Sequence, residues 1–508
     1  MTDIRSNRFL EKLLESIARN RQSIALRDDE TVVSYDELDA KSTQTAEALL
    51  KAGFEPADRV AIVAENTIGY LVSVLGIWKA GGIVATIYPS STPEDLRNTI
   101  WDSDPVLVLA DEATAGRVRE AAGVTWPVGL VSEPLSGDVK VATPRNDVAG
   151  EVPRELALIC YSSGTTARPK AIMLSDEALL AGASTYVDVW RLSPDDVTLV
   201  CLPMAWLYGL NTSSLSTLLA GGTVVPLRRS RPEMVSAAIS TYGVTVFPAV
   251  TTVLNKVTEH LVQHPESNLE SLRLVVSGGE PRNEKWFALF TEMTGVEIFD
   301  TYCASESFPL ITYDPVADAH PVPGSAGRLV PGGKIRILDA QGNPVTVGEP
   351  GEAESRGPGV MNGYWNDPDL TASAFTEDGW YKTKDLVRQD ENGYFYVVGR
   401  ASDLIIRGGS NISPAEVEHQ LREFPEIVDA VVLGLPDDMY GEEVVAVIEW
   451  GSEIPLPTVE IQQFLKGHLA SFKVPTRYLQ MKSFPKNSTT GKTDRRQILK
   501  AVTEGAGK

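Results

Sequence analysis

Small hydroxyl side chains and two basic side chains are concentrated in residues 161–176, YSSGTTARPKAIMLSD. The hydroxyl-rich part lacks the periodicity of a helix or a strand, so it predicts a loop. Gly164 allows the backbone to turn, and N–H groups, hydroxyls and the charges of Arg168 and Lys170 can then face one concavity. This is the chemistry of a phosphate-binding loop. The alternative is a solvated Ser/Thr linker, which the flanking apolar runs LALICY and AIMLS disfavour.

A P-loop, G-x-x-x-x-G-K-[ST], does not fit this stretch. Counting from Gly164, Pro169 stands where the second glycine is required, and Ala171 stands where a hydroxyl is required. The GKT at residues 491–493 also fails, because Lys486 occupies the position of the first glycine. The sequence therefore predicts a phosphate loop of another type.

The charge balance limits the possible partners. The chain has 508 residues and a formal net charge of -22, with 46 basic and 68 acidic side chains. This charge makes a nucleic acid or an anionic membrane surface an unsuitable partner. Residues 482–500 reverse the balance, with six Lys or Arg and one Asp, and a solvated basic tail is the alternative to a functional role.

Cysteine and histidine usage gives no sign of disulfides or of a metal–histidine site. The three cysteines are dispersed and the five histidines lack ligand spacing. The N-terminus has no apolar signal segment, and the longest apolar stretch is interrupted by Lys79 and several glycines. We therefore expect a cytoplasmic protein without a membrane span.

The elements that must position these residues follow a regular alternation. β-Branched apolar runs such as RVAIVAEN, PVLVLAD and LRLVVSGGE alternate with helical stretches, which predicts an α/β fold with buried, mostly parallel sheets. Short strands between Gly, Pro and Asn turns predict a small β-rich subdomain at about 324–400. We therefore divide the chain into domains 1–400 and 401–508, the second an α+β domain with a helix starting at Ser413 and Pro414.

Further motifs lie in order along the chain. They are SGGEP (277–281), TYCASES (301–307), GYWNDPDLTASAF (363–375), DGWYKTKDL (378–386), GYFYVVGRASDLIIRGGSNISPAEVE (393–418), LGLPDDMYGEE (433–443), FKVP (472–475) and PKNSTTGK (485–492). With the hydroxyl-rich loop, they resemble the adenylate-forming superfamily, in the branch of acyl-CoA and aryl-CoA synthetases. The resemblance covers nearly the whole chain and implies a large N-terminal domain of stacked sheets and a small, mobile C-terminal domain.

The resemblance implies a ligase that uses ATP, Mg²⁺ and coenzyme A. A carboxylate attacks the α-phosphate of ATP to give an acyl-adenylate and pyrophosphate, and a thiol then displaces AMP. The matching positions imply catalytic roles for Thr165, Glu306 and Lys492, with Glu306 also holding Mg²⁺. The residues implied in binding ATP or AMP are Ser162, Ser163, Gly164, Thr165, Thr166, Lys170, Gly278, Gly279, Glu280, Pro281, Tyr302, Ser305, Asp385 and Arg400.

The C-terminal domain is implied to act in both half-reactions. Lys492 would reach the charge that develops at the α-phosphate, which gives the basic segment a function. The family turns this domain between two orientations, which implies a hinge at Ser402. In the second orientation, Gly408 and Gly409 would leave room for the pantetheine arm of CoA, near Lys473.

Five positions depart from the family pattern. Ala167 and Ala171 replace glycines of the loop, Asp176 stands where histidine is frequent, Lys384 replaces a common glycine, and Ser402 stands where Asp or Lys is usual. An alanine at a position with positive φ costs about 1 kcal/mol, so we expect a stiffer loop or a shifted phosphate position.

The segment CLPMAWLYGLN (201–211) predicts the acyl pocket. Trp206 or Leu207 stands where amino-acid-activating relatives carry an aspartate, which disfavours an amino acid as substrate. The predicted pocket residues are Trp206, Leu207, Tyr208, Cys303 and Phe308, although such aromatic clusters are as often plain core. We expect a hydrophobic, non-amino carboxylic acid: aryl, fatty, or a rigid polycyclic acid of secondary metabolism, as in the similar bacterial diterpenoid-acid CoA ligases.

Two other functions stay open at this point. The enzyme could load the acyl group onto the phosphopantetheine of an acyl carrier protein, since both thiols end in the same arm. A protein of another class could keep the nucleotide pocket without activity, which the retained Lys492, Glu306 and Asp385 disfavour. The expected partners are a small carboxylic acid, ATP and CoA, with the protein as a monomer or homodimer.

Overall fold

The computed structural model describes residues 7–131, 135, 140–143, 152–162, 169–408, 410–437, 439–451, 456–486 and 493–505. The chain divides into two compact units. The first contains residues 1–334 and 355–381, and the second contains residues 335–354 and 382–508. The domain boundary expected at residue 400 follows from a change in the sequence pattern, and it stays a prediction.

The α-helices of the described residues lie mainly in the first unit. They are α1 (Arg8–Arg19), α2 (Tyr35–Lys51), α3 (Ile68–Lys79), α4 (Pro93–Ser103), α5 (Ala115–Ala122), α6 (Asp176–Val189), α7 (Ser216–Ala220), α8 (Pro232–Tyr242), α9 (Thr251–Gln263), α10 (Glu284–Thr294), α11 (Pro368–Ala374), α12 (Pro414–Arg422), α13 (Thr458–His468) and α14 (Arg495–Gly505). A π-helical segment, Tyr208–Leu215, leads directly into α7. Hydroxyl side chains cap several N-termini: Ser34 accepts from the Glu37 N–H at α2, and Ser175 accepts from the Ala178 N–H at α6.

The strands supply the sheets of both units. They are β1 (Ile24–Arg27), β2 (Val32–Ser34), β3 (Arg59–Val63), β4 (Ile83–Thr86), β5 (Leu107–Ala110), β6 (Val128–Leu130), β7 (Leu156–Tyr161), β8 (Ala171–Ser175), β9 (Val197–Val200), β10 (Thr223–Pro226), β11 (Val246–Ala249), β12 (Leu274–Gly278), β13 (Ile298–Ala304), β14 (Ser307–Thr312), β15 (Arg328–Leu329), β16 (Lys334–Leu338), β17 (Gly351–Arg356), β18 (Gly363–Tyr364), β19 (Tyr381–Gln389), β20 (Phe395–Arg400), β21 (Ile405–Arg407), β22 (Ser410–Ile412), β23 (Ile427–Asp437), β24 (Gly441–Trp450) and β25 (Arg477–Met481). Residues 324–400 contain β15 to β20 and one helix, α11, and they fall partly in each unit, so the β-rich subdomain expected there stays a prediction.

A nine-stranded sheet of described residues organises the first unit, in the order β15-β14-β13-β12-β11-β9-β10-β1-β2. The strands from β13 to β1 are parallel, and antiparallel pairs occur at the two edges. Gly278 of β12 lies opposite Thr301 of β13. The SGGEP and TYCASES segments are therefore neighbours at the carboxyl ends of these strands.

The second sheet of the first unit has seven described strands, in the order β18-β8-β7-β4-β3-β5-β6. Its strands are parallel except for the β7–β8 hairpin and the pairing of β18 with β8. α2 and α3 approach closely, since a Cβ on Gly76 would lie 2.5 Å from Thr45 Cγ2. One core contains side chains from both sheets and from these helices. The predicted α/β fold with mostly parallel sheets is confirmed.

The second unit contains a four-stranded sheet, β16-β17-β19-β20, and a five-stranded sheet in which β25 pairs with β24. Its core includes Val417 of α12 and Leu465 of α13. The predicted helix does begin at Ser413 and Pro414, but the Ser413 hydroxyl donates to the carbonyl of Val398 instead of capping the helix. This contact joins α12 to β20.

Candidate active site

The hydroxyl-rich loop connects the two strands of the β7–β8 hairpin. The Ser162 N–H donates to the Lys170 carbonyl at 2.9 Å, and the Lys170 N–H donates to Ser162 Oγ at 3.4 Å. The base of the predicted phosphate loop is thus closed by two of its predicted residues. Its other predicted members lie outside the described residues: Ser163, Gly164, Thr165 and Thr166.

Tyr364 connects this loop base to the predicted magnesium ligand. Lys170 Nζ lies 5.4 Å from the centre of the Tyr364 ring, and the Tyr364 hydroxyl donates to Glu306 Oε1 at 3.1 Å. Burial, and next the charge of Glu306, raise the pKa of Tyr364, so the phenol stays protonated and continues to donate. The structure therefore brings Lys170 and Glu306 to one side chain, to which the sequence assigned no role.

The SGGEP backbone turns sharply after β12, as Gly279 has a φ of +77°. A Cβ on Gly278 would lie 2.9 Å from Thr301 Cγ2 and 3.0 Å from Tyr208 Cε1, so a side chain there would clash. Tyr302, which is predicted to bind the nucleotide, follows Thr301 on the neighbouring strand.

Three further predicted residues, Glu280, Pro281 and Ser305, lie near the platform formed by the SGGEP turn and Tyr302. The Glu280 carboxylate accepts the Thr252 N–H at 2.7 Å, at the start of α9, so its contact in the structure is with the protein backbone. Pro281 follows it in the loop. Ser305 lies in the turn between β13 and β14, directly before Glu306. Glu280 therefore anchors the loop.

Asp385 and Arg400 lie opposite each other on β19 and β20 of the second unit. Arg400 Nε is 3.2 Å from Asp385 Oδ1, and the Asp385 side chain is 9% exposed. The hairpin register thus brings together two of the residues predicted to bind ATP or AMP. An ionised carboxylate has two acceptor oxygens, which fits a pair of ribose hydroxyls.

Two departures from the family pattern have different consequences. Ala171 is a buried strand residue opposite Tyr161 and does not have a positive φ, so the strain expected there is wrong. Lys384 has a φ of +61°, directly before Asp385. A glycine would adopt this conformation without strain. Lys384 therefore brings a cost in backbone strain directly beside the Asp385–Arg400 pair.

Two of the five predicted acyl-pocket residues, Cys303 and Phe308, lie against helix α6. Cys303 of β13 interacts with the Tyr186 hydroxyl, and Phe308 of β14 packs against Gly182. The Tyr208 hydroxyl instead donates to the Val276 carbonyl at 2.9 Å. Trp206 instead stacks on Tyr88, with ring centres 5.5 Å apart and an interplanar angle of 15°. Leu207 belongs to the main core.

Helix α6 supplies neighbours of the predicted acyl-pocket residues, which the sequence analysis missed. The Tyr186 hydroxyl lies 3.4 Å from Thr301 Oγ1, and a Cβ on Gly182 would lie 2.5 Å from Phe308 Cε2. Asn211 Nδ2 would be 3.0 Å from the same Cβ. The glycine inside the otherwise helical run LLAGASTYV was the available signal, since it marks a close approach.

The C-terminal predicted residues are only partly described. Gly408 has a φ of +57° after β21, and Lys473 Nζ forms an ion pair with Glu416 at 2.6 Å. Ser402 lies in a short 3₁₀ segment, Ala401–Asp403, and its hydroxyl donates to Asp403 at 3.0 Å. Gly409 and Lys492 lie outside the described residues.

The described ranges contain no cluster of three or more His, Cys, Asp or Glu side chains suited to a metal ion. No helix in them has the length and apolarity required to cross a bilayer. The oxygen ligand that fits Mg²⁺ is the Glu306 carboxylate, which suits a hard cation bound jointly with phosphate oxygens.

Two sequence families match the chain. AMP-binding enzyme matches residues 13–365, and AMP-binding enzyme C-terminal domain matches residues 416–492. These matches include the loop, the SGGEP and TYCASES segments and the motifs at 433–443, 472–475 and 485–492.

Named relatives match almost end to end. An indoleacetate–CoA ligase of Aromatoleum aromaticum is 33% identical over 94% of this chain and 96% of its own length. An oxalate–CoA ligase of Arabidopsis thaliana is 29% identical over 97% of this chain and 99% of its own. The crystal structure of ATP-bound MatB from Rhodopseudomonas palustris superposes with a TM-score of 0.86 at 29% identity, covering 97% of this chain and 98% of that one.

The fold, the site geometry and these matches agree with the predicted superfamily, ligase class and use of ATP, Mg²⁺ and CoA, which are confirmed. The chain belongs to the AMP-binding enzyme family and is an ATP-dependent acyl-CoA ligase that proceeds through an acyl-adenylate.

Proposed function

We propose that the acid activated by this ligase is a hydrophobic, aromatic monocarboxylic acid. By their names, relatives of similar identity act on indoleacetate and on oxalate, so likeness alone does not select the acid. The side chains of the acyl cluster must make the selection.

The composition of the acyl cluster is the observation that carries this proposal. Tyr186 and Cys303 supply aromatic and apolar surface beside α6, and Phe308 and the amide of Asn211 lie against Gly182. None of these four side chains is cationic. The second carboxylate of a dicarboxylic acid would lose its hydration here without gaining a counter-charge, which costs several kcal/mol. A flat apolar ring gains contact area.

Phe308 sets the expected depth of the pocket. Its side chain is 1% exposed and occupies the space that a Cβ on Gly182 would need. A long fatty chain or a rigid polycyclic acid would have to displace this ring from the core. One aromatic ring with a short carboxylate arm therefore fits better than the fatty and diterpenoid acids that the sequence left open.

The nucleotide roles predicted from the sequence are part of this proposal. The loop with Ser162 and Lys170 holds the phosphates, and Glu306, oriented by Tyr364, holds Mg²⁺. The metal, when bound, neutralises phosphate charge during pyrophosphate departure. Asp385 accepts from the ribose hydroxyls.

The two half-reactions use different C-terminal residues in this proposal. Lys492 stabilises charge at the α-phosphate during adenylation. Gly408 and Gly409 leave room for the pantetheine arm during thioester formation, and the chain turns at Ser402 between the steps. The ion pair of Lys473 with Glu416 supports the backbone beside that passage.

The thiol acceptor is CoA, and transfer to a carrier protein is the second candidate that the sequence left open. We further propose a cytoplasmic location, supported by the three cysteines, which are free thiols. Thioester products distinguish the acceptors: purified protein is incubated with ATP, Mg²⁺, a panel of acids and either CoA or a phosphopantetheinylated carrier protein. We expect acyl-CoA and AMP from aromatic monocarboxylic acids. Acyl-carrier product without acyl-CoA, or turnover restricted to dicarboxylic acids, would refute the proposal.

A further inference from the structure

A buried cluster around Arg282 adjoins the SGGEP turn and β13, the strand that carries Tyr302. Arg282 Nη1 donates to the Ile298 carbonyl at 2.7 Å and also contacts the Asp300 carboxylate. Arg282 Nε donates to Glu284 Oε2 at 2.8 Å. The guanidinium also lies 4.8 Å from the centre of the Phe287 ring. One side chain therefore ties the end of the SGGEP loop to both β13 and α10.

The two members of the main ion pair are close in sequence to the two sides of the platform. Arg282 directly follows Pro281, and Asp300 comes two residues before Tyr302. β12 and β13 pair so that Ser277 opposes Asp300. A contact between Arg282 and Asp300 therefore fixes the separation between the loop backbone and the strand that carries Tyr302.

We propose that Arg282 is a positioning residue for the nucleotide, which holds the SGGEP loop and Tyr302 at the spacing that adenine requires. This inference rests on the proposed ATP site, with the adenine between the SGGEP turn and Tyr302. Arg282 acts through Asp300 and the loop backbone.

Burial makes this clamp sensitive to pH. The Arg282 and Asp300 side chains are 11% and 10% exposed. Burial raises the pKa of Asp300, and Arg282 opposes the rise, which leaves the pKa at about 6. The other titratable groups that interact with Asp300 are the Glu284 carboxylate and the hydroxyls of Tyr208 and Tyr313. Protonation of Asp300 below about pH 6 removes its charge and weakens the clamp.

The test measures ATP affinity by titration calorimetry with the full chain, without acid or CoA, at pH 5.5, 6.5 and 7.5. The variants are Arg282→Met, Arg282→Lys and Asp300→Asn, with Arg273→Met as the matched control. Arg273 pairs with Asp196 in the same sheet, away from the proposed platform. The protonation of ATP itself also changes with pH. This effect is the same for every variant, so it cancels when the ATP affinity of each variant is divided by that of the unchanged protein at the same pH.

We expect Arg282→Met to weaken ATP binding about tenfold at pH 7.5, near the lower limit for a hydrogen bond to a charged group. Arg282→Lys should restore part of the affinity. Asp300→Asn should lack the loss of affinity that the unchanged protein shows below pH 6. In steady state, Arg282→Met should raise the KM for ATP, with kcat and the KM for CoA within twofold.

Unchanged ATP affinity in Arg282→Met would overturn the inference, as would an equal loss of affinity in Arg273→Met. An equal rise in the KM values for ATP and CoA would also overturn it, since it would indicate general structural damage. Because the binding measurement needs neither acid nor thiol, it decides about Arg282 even if the acid specificity proposed above proves wrong.

Discussion

Two Arg–Asp pairs flank β12, and their surroundings differ. Before the strand, Arg273 binds both carboxylate oxygens of Asp196, at 2.6 and 2.7 Å, and Asp196 also accepts from Thr245 Oγ1 at 2.8 Å. After the strand, Arg282 divides its donors between Asp300, Glu284 and a backbone carbonyl. The first pair connects loops at the amino ends of the strands, and the second adjoins the nucleotide platform.

The pKa directions of the two carboxylates follow from these surroundings. Burial alone would raise the pKa of Asp196, but hydrogen bonds from Arg273 and Thr245 outweigh burial and hold the pKa below its ordinary value. At Asp300 burial prevails and the pKa rises to about 6. A carboxylate saturated with donors stabilises the fold, whereas one with an incomplete set of donors can respond to a ligand or to pH.

The largest expected effect distinguishes a residue that acts in the chemical step, Lys492, from one that positions the nucleotide, Arg282. Lys492→Ala should lower acyl-adenylate formation about 10²- to 10³-fold, as for other removed groups aimed at transition-state charge, while ATP affinity stays unchanged. Arg282→Met should show the opposite pattern. With preformed acyl-adenylate and CoA, the Lys492 variant should form thioester at nearly the original rate. Single-turnover measurements of both half-reactions check this, and an equal defect in both would contradict the proposed division.

The next effect is on stability at the amino ends of the strands. Arg273→Met leaves the buried Asp196 without its bidentate partner, and we expect a loss of about 2 kcal/mol in the free energy of unfolding. This is below the loss for a fully buried pair, because the Arg273 side chain is 37% exposed. Urea unfolding measures the loss. The ATP affinity of the folded protein should stay unchanged. A loss of ATP affinity in the folded variant would contradict the view that Arg273–Asp196 only stabilises the fold while Arg282–Asp300 positions the nucleotide.

Much of the site could be predicted from local sequence, and the rest depends on contacts between distant segments. The loop, the SGGEP turn and the Asp385–Arg400 pair fall on quoted motifs. The bond from Tyr364 to Glu306 joins residues 58 positions apart, which no local periodicity shows. Arg282 follows a recognised motif, but only the β12–β13 register places it against Asp300.

The two carboxylates should also give opposite pH dependences of stability. The pKa of Asp196 is lowered by folding, so its contribution is complete above about pH 4 and is lost as the pH falls further. The pKa of Asp300 is raised to about 6, so the folded state favours its protonated form, and stability decreases as the pH rises from about 4 to 6. Unfolding free energies of Asp196→Asn and Asp300→Asn, compared with the unchanged protein from pH 3 to 7, should show opposite slopes. Parallel slopes would show that the two surroundings are equivalent.

The smallest expected effect concerns backbone strain beside the Asp385–Arg400 pair. Lys384 has a φ of +61°, and Lys384→Gly should stabilise the protein by about 1 kcal/mol, because glycine adopts this conformation freely. Lys382→Gly, in the same strand without a positive φ, is the control and should destabilise it. Thermal unfolding of both variants gives the sign. Destabilisation by Lys384→Gly would mean that the lysine side chain makes a contact that outweighs the strain.

Acid-dependent exchange of radiolabelled pyrophosphate into ATP tests the proposed acid specificity most directly, because it reports adenylate formation without a thiol. Indole and phenyl monocarboxylic acids would be compared with oxalate and malonate, each at several concentrations. The cation-free aromatic cluster predicts kcat/KM values for the aromatic acids at least 100-fold above those for the dicarboxylic acids, about 3 kcal/mol of discrimination against an unpaired buried charge. Equal or faster exchange with the dicarboxylic acids would contradict the proposed specificity.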